Sequence, residues 1–222
     1  ERSTGLPLGV GGEDTDYSRP GIALLHFLDA DRGLAATRLR LFATTDGGRS
    51  WSPAPLPGES GRSPALLAVL PSSPDPTVLI SDGRAIWRSA ESGRTFAESD
   101  EGLPGPREYF TIRWLAADGP SAAWLVNANV VYRSADGGAT WTQYGFTGDD
   151  ITVVGARTTA AGTLELFDGS GAGRTILASD EWSEPPVTTP PLPGASFTRL
   201  VFDSTGRGIL AGASGLIATM DP

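Results

Sequence analysis

The sequence has no cysteine and no lysine, and it contains one histidine and one methionine among 222 residues. Without cysteine there is no disulfide, no thiolate metal site and no cysteine nucleophile. A single histidine cannot form a multi-histidine metal site. These absences favour a protein without a bound metal or cofactor, and they point to no catalytic residue.

Long apolar runs are absent as well, since no stretch approaches the roughly 18 uninterrupted apolar residues of a membrane-spanning helix. The formal net charge is -9, and all 17 basic residues are arginine. Binding to phosphate groups requires a basic face, which an acidic chain does not supply in bulk. We therefore expect neither a nucleic-acid partner nor membrane insertion, and we expect a monomer.

Turn-forming residues are abundant, with 29 glycines and 18 prolines, while 39% of the residues are hydrophobic. This composition is typical of many short strands around an apolar core. No segment keeps a helical period, and a chain of this length fits one all-β domain. We predict a single domain over residues 1–222.

An eight-residue motif recurs at constant spacing. Residues 44–51 read Thr-Thr-Asp-Gly-Gly-Arg-Ser-Trp, and related octapeptides occupy 89–96 and 134–141, each 45 positions after the one before. Residues 177–183 keep the hydroxyl and Trp182 but lack the glycines, which indicates a shortened fourth copy. A fifth copy at this period falls just past the end of the sequence, so the chain accommodates five repeats.

The motif itself predicts a hairpin turn. Its acidic residue can accept backbone N–H bonds within the turn, and its glycines supply positive φ. Its aromatic residue, at a constant offset, fits a side chain buried between strands or repeats. We assign these structural roles to Asp46, Trp51, Glu91, Phe96, Asp136, Trp141 and Trp182.

The pattern Ser-x-Asp-x-Gly-x-Thr-Trp resembles the Asp-box, or BNR repeat, of sialidase-like β-propellers. The resemblance implies a five-bladed β-propeller of four-stranded antiparallel blades, with each box on the outer turn between the third and fourth strands. Similar repeats occur in extracytoplasmic proteins and in photosystem II stability and assembly factors, so the resemblance favours an extracytoplasmic location. The implied blades are approximately 21–60, 61–105, 106–148, 149–193, and 194–222 together with 1–12.

The first residues of the chain are expected to complete the last blade, which has no strand after its box. Gly5-Leu6-Pro7 resembles Gly102-Leu103-Pro104, which follows the second box. We predict that the segment from Arg2 to Val10 supplies the outer strand of that blade.

Candidate binding residues lie on the innermost strands of the blades. Arg113, Arg157 and Arg199 occupy nearly equivalent repeat positions, 44 and 42 residues apart. Convergent guanidinium groups can bind a carboxylate or another anion bidentately, whereas arginines that pair with neighbouring carboxylates would be structural. The single histidine, His26, lies on the first innermost strand and is a further channel-lining candidate.

These observations predict a non-catalytic binding or scaffold propeller that recognises a protein or a glycan through one face or the central channel. The alternative is a glycoside hydrolase, either sialidase-like or of the five-bladed type that uses a carboxylate pair. A hydrolase requires carboxylates a few ångströms apart. The boxes are on separate blades, and Glu108, Asp118, Asp150 and Asp203 flank the inner strands as turn residues would.

Overall fold

The computed structural model describes 22–37, 40–54, 64–72, 74–105, 111–148, 151–159, 163–178, 185–187, 194, 196–202, 207–212 and 217–220. These residues form strands and turns and contain no helix. The chain divides into two compact units, one comprising Glu1–Leu125 with Arg133–Thr142 and the other Val126–Tyr132 with Gln143–Pro222.

The described residues form eighteen strands in five antiparallel sheets, and consecutive strands are neighbours within each sheet. The first sheet contains β1 (Ile22–Phe27), β2 (Gly33–Thr37), β3 (Leu41–Thr44) and β4 (Ser52–Pro53). The second contains β5 (Leu66–Leu70), β6 (Thr77–Ser81), β7 (Ile86–Ser89) and β8 (Ala97–Glu98). The third contains β9 (Ile112–Asp118), β10 (Ala122–Asn127), β11 (Val130–Ser134) and β12 (Thr142–Phe146).

The last two sheets have three strands each within the described residues. The fourth sheet contains β13 (Val153–Thr158), β14 (Leu164–Asp168) and β15 (Gly173–Ile176). The fifth contains β16 (Phe197–Phe202), β17 (Gly208–Gly212) and β18 (Ile217–Met220).

In the first four sheets, the second strand is the most buried strand. All five residues of β6 are buried, as are five of the six in β10 and four of the five in β14. Adjacent side chains along a strand point to opposite faces, so burial of both means that both faces of the sheet are covered. This is why these segments read as continuous apolar runs instead of alternating ones.

Each unit has its own packing between neighbouring sheets. In the first unit, Leu34 and Ala36 of the first sheet pack with Val78, Ile80 and Trp87 of the second. In the second unit, one buried cluster joins the fourth sheet to the fifth; its members are Phe167, Phe197, Leu200 and Leu210. Neighbouring sheets therefore pack face to face in each unit.

The first three sheets repeat the same link between their two hairpins. A backbone N–H in the turn after the third strand donates to a carbonyl in the connection before the second strand, always 16 residues earlier. The three bonds are Gly47 to Asp31 (2.8 Å), Ser92 to Pro76 (3.2 Å) and Gly137 to Ser121 (2.6 Å). The 45-residue sequence period is thus also a period of backbone geometry.

Five antiparallel sheets of three or four sequential strands are the blades of a β-propeller, as the sequence predicted. In the fourth blade, the described part of the outer strand pairs through one antiparallel bridge between Arg174 and Val187. The predicted N-terminal outer strand, Arg2 to Val10, lies outside the described residues.

Candidate functional site

The three eight-residue motifs, here called the carboxylate turns (44–51, 89–96 and 134–141), each connect the third strand of a sheet to the fourth. In the third turn, Asp136 Oδ1 accepts bonds from the Ser134 hydroxyl (2.8 Å) and the Thr140 N–H (2.9 Å). Its Oδ2 accepts a bond from the Thr140 hydroxyl at 2.6 Å. The first turn repeats this arrangement around Asp46. The carboxylates are therefore directed into their own turns.

The hydrogen bonds keep the first and third carboxylates ionised. The Ser50 hydroxyl and N–H lower the pKa of Asp46 to about 2. Burial raises the pKa of Asp136, but the bonds from Thr140 and Ser134 lower it by more, to about 2. A carboxyl group with such a low pKa is unprotonated at neutral pH and cannot serve as a general acid.

These lowered pKa values predict acid sensitivity. A carboxyl group whose folded-state pKa is below its unfolded value of 3.8 stabilises the fold above that pH, and the stabilisation is lost as pH falls through about 2. We expect Asp136→Asn to cost about 1–2 kcal/mol at pH 7, because the amide nitrogen that replaces one carboxylate oxygen cannot accept the Thr140 bond made to that oxygen, and the loss should shrink towards pH 2.

Urea denaturation at several pH values measures this loss. Glu91→Gln is the matched control, since Glu91 receives a single side-chain bond, from Thr95 at 3.2 Å, and should cost less. A loss for Asp136→Asn that does not depend on pH between 7 and 2 would contradict the assignment.

The aromatic residues of the carboxylate turns differ in how they are covered. Trp141 is 2% exposed, and its Nε1 donates to Ser99 O of the preceding sheet at 3.0 Å. Phe96 is partly buried against the core that joins the first two sheets. Trp51 is partly exposed, and its Nε1 donates to Gly48 O of its own turn at 3.1 Å. Trp182 lies outside the described residues.

The glycines of the turns allow the preceding sheet to approach closely. A Cβ added at Gly93 would lie 2.9 Å from Leu34, and one at Gly138 would lie 2.5 Å from Leu79. Both glycine positions and both leucine positions are 45 residues apart. The second and third turns therefore pack on equivalent leucines of the preceding sheet.

A polar network joins the first two sheets beside these turns. Arg32 Nη1 donates to Asp75 Oδ1 (2.8 Å) and to the Ser92 hydroxyl (2.7 Å), and its Nε contacts Asp29 at 2.6 Å. Ser92 also donates to Asp75 at 2.9 Å. This network could not be predicted from the sequence, because its members come from three separate connections and do not recur in the other repeats.

The three candidate arginines have different environments. Arg157, on β13, forms an ion pair through Nε with Glu165 Oε2 at 2.8 Å, and Glu165 is only 8% exposed. Its guanidinium carbon also lies 5.7 Å and 5.1 Å from the ring centroids of Phe167 and Phe202. Arg157 therefore has a structural partner, the alternative that the sequence left open.

Arg113 on β9 and Arg199 on β16 are exposed. The side chain of Arg199 points away from the strand that carries Arg157. Strand β13 contacts β16 where Gly155 lies against Leu200. Arg199 is next to Leu200 in sequence, so its side chain lies on the opposite face of β16. His26 is exposed on β1 between Leu25 and Phe27, which are 53% and 43% exposed.

Two features are absent from the described part of the chain. None of its residues forms a helix long and apolar enough to cross a membrane. Among the same residues, no group of three or more histidine, aspartate or glutamate side chains is placed to hold a metal ion.

The chain matches no protein-family model and no curated protein. It is similar to solved β-propellers, among them YCF48 bound to D1 peptide, with a TM-score of 0.62 and 20% identity over 91% of this chain. A virginiamycin B lyase from Staphylococcus aureus with quinupristin matches with a TM-score of 0.63 and 14% identity. That match covers 92% of this chain and 71% of the lyase chain. The WD40 propeller domain of Doa1 matches with a TM-score of 0.61 and 15% identity over 89% of this chain.

The chain spans 64% of the YCF48 chain and 62% of the Doa1 chain. At these identities the similarity shows the fold. The matches include both a peptide-bound protein and a lyase, so the fold alone does not separate binding from catalysis.

Proposed function

We propose that this chain is a non-catalytic binding propeller that recognises an acidic segment of a partner protein through an exposed arginine on the first strand of a blade, with Arg113 and Arg199 as two separate candidates. The observation that carries the proposal is the exposure of these two arginines on the first strands of their blades, β9 and β16. The third arginine at this repeat position, Arg157, is only partly exposed and is not included.

The strands hold both arginines in fixed positions. Ile112 and Leu115 are buried on either side of Arg113, as are Phe197 and Leu200 around Arg199. Buried neighbours restrict the backbone, so each guanidinium starts from a rigid base and loses less entropy on binding. The planar guanidinium offers two parallel N–H donors to a carboxylate.

The similarity to YCF48 bound to D1 peptide supports a peptide as the ligand, although it rests on the fold. The net charge of -9 opposes an acidic ligand at long range. Charges separated by more than about 8 Å are largely screened at physiological ionic strength, so local contacts with the arginines decide the affinity.

The carboxyl groups within the described residues do not favour the hydrolase alternative. Every described carboxyl group with a shifted pKa is shifted downwards; these groups are Asp29, Asp46, Asp75 and Asp136. A glycosidase needs a carboxylic acid that stays protonated near its working pH.

Fluorescence anisotropy with a labelled nonapeptide that carries three glutamates tests the proposal. We expect saturable binding, and we expect Arg113→Gln or Arg199→Gln to weaken it by about tenfold, which corresponds to one lost charge-assisted bond. Arg84→Gln, at an exposed arginine in the turn between β6 and β7, should leave affinity unchanged. The glutamine version of the peptide should bind more weakly.

Equal binding of the glutamate and glutamine peptides, or equal loss in all three variants, would overturn the assignment of the arginines. Binding of an acidic oligosaccharide in preference to the peptide would move the proposal to glycans. Hydrolysis of a chromogenic glycoside would overturn the binding proposal in favour of the glycoside hydrolase alternative.

A further inference from the structure

One peptide group links the turn after β6, in the second sheet, to the first strand of the third sheet. Its carbonyl, Gly83 O, accepts a bond from the N–H of Ile112, the first residue of β9, at 2.7 Å. Its N–H belongs to Arg84 and donates to Asp82 Oδ1 at 2.8 Å. Asp82 therefore holds one end of the peptide group whose other end anchors the start of β9.

The same arrangement links the fourth sheet to the fifth. Gly169 O accepts a bond from the N–H of Phe197, the first residue of β16, at 2.7 Å. The N–H of this peptide group belongs to Ser170 and donates to Asp168 Oδ1 at 2.8 Å. Both links use an Asp-Gly pair, and their hydrogen-bond lengths are the same at the two sites.

Further hydrogen bonds fix each aspartate in its own turn. Asp82 Oδ1 also accepts a bond from the N–H of Ala85 at 2.8 Å, and Asp82 is only 8% exposed. Asp168 Oδ1 also accepts a bond from the Ser170 hydroxyl at 2.6 Å. A hydrogen bond at one end of a peptide group polarises the group and strengthens the bond at its other end. Each aspartate therefore supports the bond that the glycine carbonyl makes to the next sheet.

The two links lie directly before the two exposed arginines. Arg113 follows Ile112, and Arg199 is two residues after Phe197. The anchored N–H is therefore at most two residues from the Cα atom that carries each guanidinium group. A bond this close fixes the backbone from which the arginine side chain extends.

The first and third sheets have no Asp-Gly pair at this position. The third sheet has Asn127-Ala128 there, 45 residues after Asp82, and the arginine of the next first strand, Arg157, is ion-paired and only partly exposed. The first sheet has Thr37 there, and the next first strand, β5, contains no arginine. The Asp-Gly link thus accompanies the exposed arginines.

We propose that Asp82 and Asp168 are positioning residues for ligand binding, Asp82 for Arg113 and Asp168 for Arg199. Each aspartate fixes the start of the strand that carries its arginine. A guanidinium group on a fixed backbone loses less conformational entropy when it binds a carboxylate. The inference rests on the proposed function, because it concerns how an exposed arginine binds an acidic segment.

Double-mutant cycles in the peptide-binding assay test each pairing. For an arginine that binds the peptide, replacement of its own aspartate by alanine should weaken binding by about three- to tenfold. The same replacement should have no further effect once that arginine is glutamine. The crossed pairs, Asp82 with Arg199 and Asp168 with Arg113, are the matched controls and should show no coupling.

Conservative variants separate positioning from a general loss of structure. Asp82→Asn and Asp168→Asn should keep the affinity within about twofold, because the amide oxygen can still accept the peptide N–H. Asn127 already occupies this position in the third sheet, so asparagine is compatible with the turn.

Amide hydrogen exchange gives a readout that needs no ligand. Asp82→Ala should raise the exchange rate of the Ile112 N–H by about tenfold or more and leave that of Phe197 unchanged, and Asp168→Ala should do the reverse. If Asp82→Ala does not fold, Asp168→Ala tests the same link at an aspartate that is less buried.

The outcomes distinguish this inference from the function on which it rests. Absence of peptide binding by the unmodified chain overturns the proposed function. Peptide binding that is equally strong in the unmodified chain and in both alanine variants overturns the positioning role alone. Asparagine variants as weak as the alanine variants also overturn it, as does unchanged exchange of both amides.

Discussion

Replacing Gly102 with alanine is expected to destabilise the protein by about 4 kcal/mol, near the upper end for single substitutions. Gly102 has φ of 85°, and its Cβ would lie 1.9 Å from Trp141 O. Two costs therefore combine, a left-handed backbone for an L-residue and a collision with main-chain atoms that no rotamer change relieves. Urea denaturation followed by tryptophan fluorescence measures the loss.

Gly119→Ala separates the two costs. Gly119 has the same φ of 85°, and an added Cβ would meet nothing within 4 Å. The control should therefore lose only about 1–2 kcal/mol from backbone strain. Equal losses in the free energy of unfolding for the two variants would mean that Gly102 does not pack closely against the backbone of Trp141.

The second large effect is expected at the ion pair of the fourth blade. Arg157→Met should cost about 3 kcal/mol, because it leaves Glu165 nearly buried and without its guanidinium. Adding Glu165→Gln should recover part of that loss, since the double variant no longer buries an unpaired charge. Chemical denaturation of the two single variants and the double variant gives the coupling free energy.

Arg199→Met is the control for this cycle. It removes an exposed arginine from the neighbouring β16 and should change stability by less than about 0.5 kcal/mol. If Arg157→Met is as mild as Arg199→Met, Arg157 is not a structural residue and returns to the set of ligand-binding candidates. A double variant less stable than either single variant would show that the two side chains contribute separately.

The positions of the carboxylate turns could be predicted from the sequence because everything that forms them is local. A hydroxyl, a carboxylate and two glycines within eight residues determine a hairpin turn, and Asp136 binds side chains two and four residues away. The 45-residue period then places each turn between a third and a fourth strand. These are short-range effects, and they hold wherever the segment lies in the fold.

The environment of the arginines could not be predicted in the same way. Arg113, Arg157 and Arg199 occupy similar repeat positions, but nothing in the sequence around Arg157 shows that the hairpin of β13 and β14 brings Glu165 opposite it. The partners of Arg32 are likewise 43 and 60 residues away. Such contacts depend on which strands become neighbours, and the residue pattern along one strand does not predict them.

The sequence by itself determined the class of the fold, the number of blades and the turns that carry the motif, because repeated local chemistry at a constant period requires repeated local structure. Only the tertiary structure decided which carboxylates and arginines are already paired and how the aromatic residues of the turns are covered. The physical reason is that a charge or an indole ring is free to bind a partner only if no other part of the chain has reached it first, and that depends on contacts between distant segments.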